Sequence, residues 1–217
     1  MTYCTDTDLL HWEPNIFRDV AFASQLLLSG TGDLNGMSFV IAAGSLVDAH
    51  IAAGQVIVLT GATAGSYPIV SIDSATQLTL SVMYDGLFPD SGAGTPASVG
   101  TGAGLGFAIR TFFPQRRVVS SILMRAAGIG PETDAPATAQ VINAEALRRP
   151  CVLGTLQMIY NALAAASGAP SELSVRSQLY ERLYRRALAQ VCVEIDYDGD
   201  GKGEVVRRLG AMEMVRA

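Results

Sequence analysis

The chain has 217 residues, 49% of them hydrophobic, and a formal net charge of −5. That apolar share supports a real core and excludes a disordered chain, and the length suits one ordinary domain or a small domain with a large insertion. Cys4, Cys151 and Cys192 are too few and too scattered for a disulfide framework; no run approaches the roughly 20 apolar residues of a membrane span, and the opening MTYCTDTD has no signal-peptide character, so the expectation is a soluble protein made inside a cell.

In chain order, three texts follow one another. Thr5 to Leu28 reads as helix. Asp6 and Asp8 can cap a first turn over Leu9, Leu10 and Trp12. Pro14 suits the first position of a second helix, whose Ile16, Phe17, Val20 and Leu27 keep approximate helical spacing. SGTGD, Ser29 to Asp33, is expected to stop it. From Leu34 to Phe113 glycine becomes frequent and lysine is absent. GQVIVLTG, SYPIVSID, TQLTLSV and LGFAIRTFF each read as a strand, while Leu87 to Gly104 reads as a loose Gly/Ser/Pro loop. These strands predict a small β-rich module, a sandwich or open barrel.

The third text is helical. Pro114 starts a helix with Val118, Val119, Ile122, Leu123 and Ala126 on its inner face and Gly128 as its stop. IGPETDAPATAQV reads as a loop, Asn143 as a cap, and Pro150 as a bend or restart. Val152, Leu156, Ile159, Tyr160 and Leu163 then form one stripe. Ser171 opens a long helix with two stripes: Val175, Leu179, Leu183, Ala187 and Val191, and beside it Tyr180, Tyr184, Leu188 and Cys192. A face that wide predicts neighbours on two sides, and Glu181 and Arg185 stand i,i+4 for a surface ion pair.

The fold class expected is therefore α+β: a small bundle of about four to five helices interrupted by an inserted sandwich- or barrel-like β module. The divisions are residues 1–33 for the N-terminal helices, 34–113 for the insertion, 114–193 for the helical core, and 194–217 for an Asp/Gly turn and a C-terminal tail. Charge follows the same split. Met1 to Ile109 carries one base, Arg18, against nine acids, whereas Arg110 to Gln190 carries ten arginines against five acids. The first half would repel phosphate; the second could face nucleic acid or, equally, an acidic protein surface.

Catalytic chemistry is not legible. His11 and His50 lie apart, with no carboxylate or cysteine at ligand spacing. There is no GxSxG, P-loop or HExxH. GTGAGLG, Gly100 to Gly106, echoes a dinucleotide loop but lacks a βαβ frame. The cysteines suit core packing. No enzyme and no cofactor are expected, apart from one metal candidate. EIDYDGDGKGE places Asp196, Asp198, Asp200 and Gly201 at positions 1, 3, 5 and 6 of an EF-hand-type loop, with Glu204 at position 9. Position 12, where a bidentate glutamate belongs, is Arg207. A weak Ca²⁺ loop and a solvated turn, in which Gly199, Gly201 and Gly203 supply positive φ, both remain open.

The segments FAIRTFFPQRRVVSSILMRAAGI, NAEALRRPCVLGTLQMIYNALA and SQLYERLYRRALAQVCVEIDYDGDGKGE, in that order, resemble the head–tail connector (adaptor) family of tailed bacteriophages. The opening YCTDTDLLHWEPNIF resembles that family's first helix. The resemblance spans about two thirds of the chain and implies a structural virion protein, located in the neck at the head–tail interface and made in the host cytoplasm. Family members form rings, commonly of twelve copies, beneath the portal protein. The ring extends the DNA channel, through which DNA passes without specific binding, and it docks the next neck or tail protein; no membrane is involved. The C-terminal segment typically reaches toward the portal; here that segment offers Val205, Val206, Arg207, Arg208, Leu209, Met212, Met214 and Val215. Ring contacts would fall to Arg176, Tyr180, Arg182, Tyr184, Arg185 and Arg186. The alternatives are another neck or tail protein, such as a terminator or completion protein, or a calcium-binding interaction module.

Overall fold

A computed structural model describes residues 2–82, 96–130, 136, 139–167 and 172–210. The chain is mixed α+β, with five α-helices, a closed barrel of six strands and a separate three-stranded sheet among the described residues. It divides into two units, Thr5–Phe113 and Met1–Cys4 with Pro114–Ala217.

In the first unit, helix α1 (Asp6–Trp12) opens with a capping box: the Thr5 hydroxyl accepts from the Asp8 amide at 3.2 Å and the Asp8 carboxylate accepts from the Thr5 amide at 2.7 Å. Asp6, fully buried, accepts instead from the Thr111 hydroxyl at 2.6 Å and the Phe112 amide at 3.0 Å. Helix α2 (Ile16–Asp19) is a single turn, and Phe17 packs on Phe112 with ring centroids 4.9 Å apart.

The expected second helix stops there. Its intended apolar end, Leu26 to Leu28, belongs to strand β1 (Leu26–Gly36), and SGTGD lies inside that strand instead of ending a helix. The antiparallel barrel runs in the order β1, β2 (Ser38–Ile41), β5 (Gln77–Leu80), β4 (Gly65–Ile72), β3 (Val56–Leu59) and β6 (Gly100–Arg110), which returns to β1. The barrel is closed rather than open. Closure removes the unpaired edges that a free sheet exposes. Strand β6 begins at Gly100, so the expected loop is shorter than Leu87 to Gly104, and its part 87–95 lies outside the described residues.

Glycine in β1 is a packing requirement. Phe39 and Phe107 meet edge-to-face inside the barrel at 5.4 Å. A Cβ on Gly32 would lie 2.5 Å from the Val40 carbonyl oxygen and 2.7 Å from the Phe39 ring. Around these rings Ile41, Ile57, Leu59, Ile69, Leu78, Leu80 and Ile109 complete a buried apolar core. At the β1–β2 hairpin, Gly36 takes φ +67°, as the tight primed turns require.

The second unit holds α3 (Phe113–Ala126, from Pro114 onward), α4 (Arg148–Ser167) and α5 (Glu172–Gln190), with β7 (Gln140–Val141), β8 (Cys192–Asp196) and β9 (Val205–Arg208) as an antiparallel sheet in that order. Gly128 takes φ +77° just past α3, the left-handed stop read from the sequence. Pro150 sits in the first turn of α4, where its missing N–H costs nothing. Val119 and Leu123 are buried, but Val118 and Ile122, expected on the same inner face, are 48% and 39% exposed. Asn143 makes no cap; its side chain accepts from the Glu194 amide at 2.8 Å and donates to the Cys192 carbonyl at 3.1 Å, extending the β7 edge of the sheet. Part of the expected 129–141 loop is that strand. Cys192, placed on a helical stripe by the sequence, is an exposed strand residue because α5 ends at Gln190.

Candidate functional site

Strands β8 and β9 form a hairpin whose connection is the aspartate loop. Asp196, the last residue of β8, is fully buried. Its carboxylate accepts from the amides of Gly199 at 2.6 Å and Gly201 at 2.8 Å, and from the Gln140 side chain at 3.3 Å. Burial alone would raise its pKa, but the amides of Gly199 and Gly201, the Gln140 side chain and the Asp200 amide together hold it below the ordinary carboxylate value. Asp198 accepts from the Asp200 amide at 3.0 Å, and Asp200 accepts from the Lys202 amide at 2.8 Å. Glu204 accepts from the Tyr197 amide at 2.5 Å, closing the loop. Gly199 and Gly201, with φ +84° and +83°, are the left-handed residues that let the chain turn inward; Gly203 is not among the positive-φ glycines.

One oxygen from each of Asp196, Asp198, Asp200 and Glu204 lies within 4.8 Å of the other three. Oxygens about 2.3–2.6 Å from a central Ca²⁺ have that spread. The four residues therefore fit a hard divalent cation, with Asp198, Asp200 and Glu204 exposed to receive it. Asp196 Oδ1 and Asp198 Oδ1 each keep a lone pair beyond one amide bond, whereas Asp196 Oδ2 already accepts from both Gly201 and Gln140, and Asp200 Oδ2 meets the Lys202 ammonium at 3.3 Å. A full EF-hand set is not available. Arg207 lies on β9, and its guanidinium donates to the Ala127 carbonyl at 2.9 Å, at the C-terminal end of α3. The position that would supply the strongest ligand instead satisfies an orphan helix carbonyl.

The residues expected at ring contacts divide. Tyr180 is buried and stacks on Tyr160 with centroids 5.5 Å apart and planes at 3°. Arg176 lies over the Tyr160 ring at 5.6 Å and donates to its hydroxyl at 3.2 Å. These two hold α5 to α4. Arg182, Arg185 and Arg186 are exposed, and Arg185 meets Glu181 in the expected i,i+4 pair at 2.5 Å. Tyr184 lines a cavity of about 310 Å³ with Val119, Ile122, Gly154, Gln157, Met158 and Asn161. Gly154 is the residue that the sequence reading missed: a Cβ there would lie 2.9 Å from Val119 Cγ1 and 3.0 Å from Tyr184 Cε2. A lone glycine inside an apolar helical run was the available signal.

Of the expected docking tail, Val205 to Arg208 form β9. Val205 and Val206 are 37% and 69% exposed, whereas Arg208 donates back to the Ala189 carbonyl at 2.8 Å. The Leu209 amide donates to Val191 at 3.1 Å, and Met212, Met214 and Val215 lie outside the described residues. Among the described residues no helix is long and apolar enough to cross a membrane. No family model matches the chain, and neither a curated protein nor a solved structure matches it.

Proposed function

We propose that this chain is a structural subunit of a phage head–tail connector, assembled as a ring, commonly of twelve copies, beneath the portal. In this reading α3, α4 and α5 are the core of a small helical bundle, and the barrel is its elaboration. The observation that carries it is the division of α5 into two apolar faces. Tyr180 and Ala187 are buried within the fold, while Val175 and Leu179, one turn apart, are 65% and 43% exposed. Val118 and Ile122 repeat the arrangement on α3. A ring needs two different adhesive surfaces on each subunit, because its contacts are heterologous and close by rotation. Exposed Val205 and Val206 on β9, followed by the apolar residues to Val215, supply a segment for the portal. The exposed arginines of α5 favour an acidic neighbour.

The barrel unit contributes a different property. Its acidic composition would repel a DNA backbone, which suits a conduit whose cargo must slide through. Electron microscopy of the purified protein, alone and mixed with its portal, tests the assignment. Rings on the portal vertex support it. A chain that stays solitary even on that platform refutes it, and barrel units far from the bore would remove the repulsion argument alone.

A second reading, a calcium-binding interaction module, is favoured by the convergence of the four carboxylates on the β8–β9 hairpin. Calorimetry separates the two. Micromolar calcium binding that alters the unfolding transition supports the module, and absence of heat at millimolar calcium eliminates it.

A further inference from the structure

Two of the three cysteines, both free thiols, lie against each other. Cys4 and Cys151 are 147 positions apart, yet their Sγ atoms lie 2.7 Å from each other, and both residues are buried. That separation is shorter than two unbonded sulfurs ordinarily keep, and within a small adjustment of the roughly 2.05 Å covalent bond. The surroundings hold the pair in register. The Ser120 hydroxyl lies 3.4 Å from Cys151 Sγ and accepts from the Tyr3 amide at 3.1 Å. Arg116, also buried, donates to the Cys4 carbonyl at 2.6 Å. Residues 3 and 4 are thus clamped on α3 while the Cys4 side chain points at α4.

We propose that Cys4 and Cys151 form a reversible disulfide site, closed by thiol–disulfide exchange with a small-molecule disulfide of the glutathione class. The Cys151 thiolate attacks one sulfur of the reagent, forming a mixed disulfide and releasing one small thiolate. The Cys4 thiolate then attacks the Cys151 sulfur, and the second small thiolate leaves. The two protein thiols are oxidised by two electrons, the reagent is reduced to two thiols, and those thiols take up the two protons. Cys151 is suited to the first attack. Its hydrogen bond with Cys4 lowers its pKa most; burial opposes this, and Ser120, the Tyr3 amide and Arg116 reinforce the lowering. Burial of both sulfurs makes exchange wait on lifting of the N-terminal residues, so closure is slow compared with reaction of the exposed Cys192.

The bond would have a defined consequence. The chain leaves the helical unit after Cys4 and returns to it at Pro114. A Cys4–Cys151 link closes a covalent loop that contains the whole barrel unit and makes the N-terminal clamp permanent. This inference is independent of the connector assignment.

The test uses the full chain, fully reduced or incubated with excess oxidised glutathione, quenched by acid and counted for thiols in denaturant after gel filtration and removal of mixed disulfides at Cys192 by mutation. In the Cys192→Ser protein the expected count falls from two thiols to none, peptide mass spectrometry finds residues 4 and 151 joined within one chain, dithiothreitol restores both thiols, and the oxidised form melts several degrees higher. Cys4→Ser in the same background leaves Cys151 without an internal partner. Should that variant not fold, the cross-link map of Cys192→Ser decides alone. Two thiols persisting after oxidation of the folded protein, glutathione adducts without a cross-link, or a link between separate chains would overturn the proposal.

Discussion

Replacing Gly128 by alanine should cost more when Arg207 is present than when it is absent. Gly128 holds φ +77°, and a Cβ built there would overlap the Arg207 Nη1 that donates to the Ala127 carbonyl at 2.9 Å. Two costs therefore combine. Forcing alanine into the left-handed region costs about 1–2 kcal/mol. Displacing the guanidinium forfeits a charge-assisted hydrogen bond, worth about 1 kcal/mol net at this partly exposed site. Gly128→Ala should lose about 2–3 kcal/mol in the parent protein. Arg207→Ala alone should lose about 1 kcal/mol, and the double variant about 2–3 kcal/mol, a coupling near 1 kcal/mol. Urea unfolding followed by circular dichroism at the helical band measures all four corners. If Gly128→Ala cost the same in both backgrounds to within about 0.5 kcal/mol, the guanidinium would not occupy the space beside Gly128, and the explanation for the missing twelfth ligand would fail with it.

Further outcomes follow from other sites. Arg207→Glu should not tighten calcium binding, because position 207 faces the end of α3; calorimetry on both proteins checks this, and a large gain in affinity would contradict the hairpin geometry. Asp196 has a folded pKa below its unfolded value, so its stabilising contribution is present above the ordinary carboxylate range and is lost as pH falls through the folded value. Asp196→Asn should flatten the acid limb of stability against pH. Val175→Ser with Leu179→Ser should leave the circular dichroism unchanged, since both side chains are exposed, and, under the proposed connector assignment, abolish ring formation on the portal. Gly154→Ala should destabilise despite alanine's higher helix propensity, because the new methyl meets the stiff Val119 side chain at 2.9 Å; a higher melting temperature would show that α3 and α4 can part at no cost.

Local chemistry alone determined much of this protein. Period-two and β-branched runs marked β3, β4, β5 and the end of β6, and the apolar stripes with Gly128 and Pro150 marked α3, α4 and α5. The aspartate spacing marked the hairpin loop. The fate of Leu26 to Gly36 was decided by tertiary structure. Its leucines read as the end of a helix, and its glycines as a stop, whereas β2 and β6 on either side make them a barrel strand and Phe39 demands the empty space at Gly32. Likewise, periodicity could not say which part of the wide apolar face of α5 turns inward: Tyr180 from one stripe and Ala187 from the other are buried, while Val175 and Leu179 are exposed. The Tyr160–Tyr180 stack decided that. Nor could spacing join Cys4 to Cys151 or Arg207 to Ala127, because contacts between distant segments depend on how the elements pack, and a linear pattern carries only the direction each element turns.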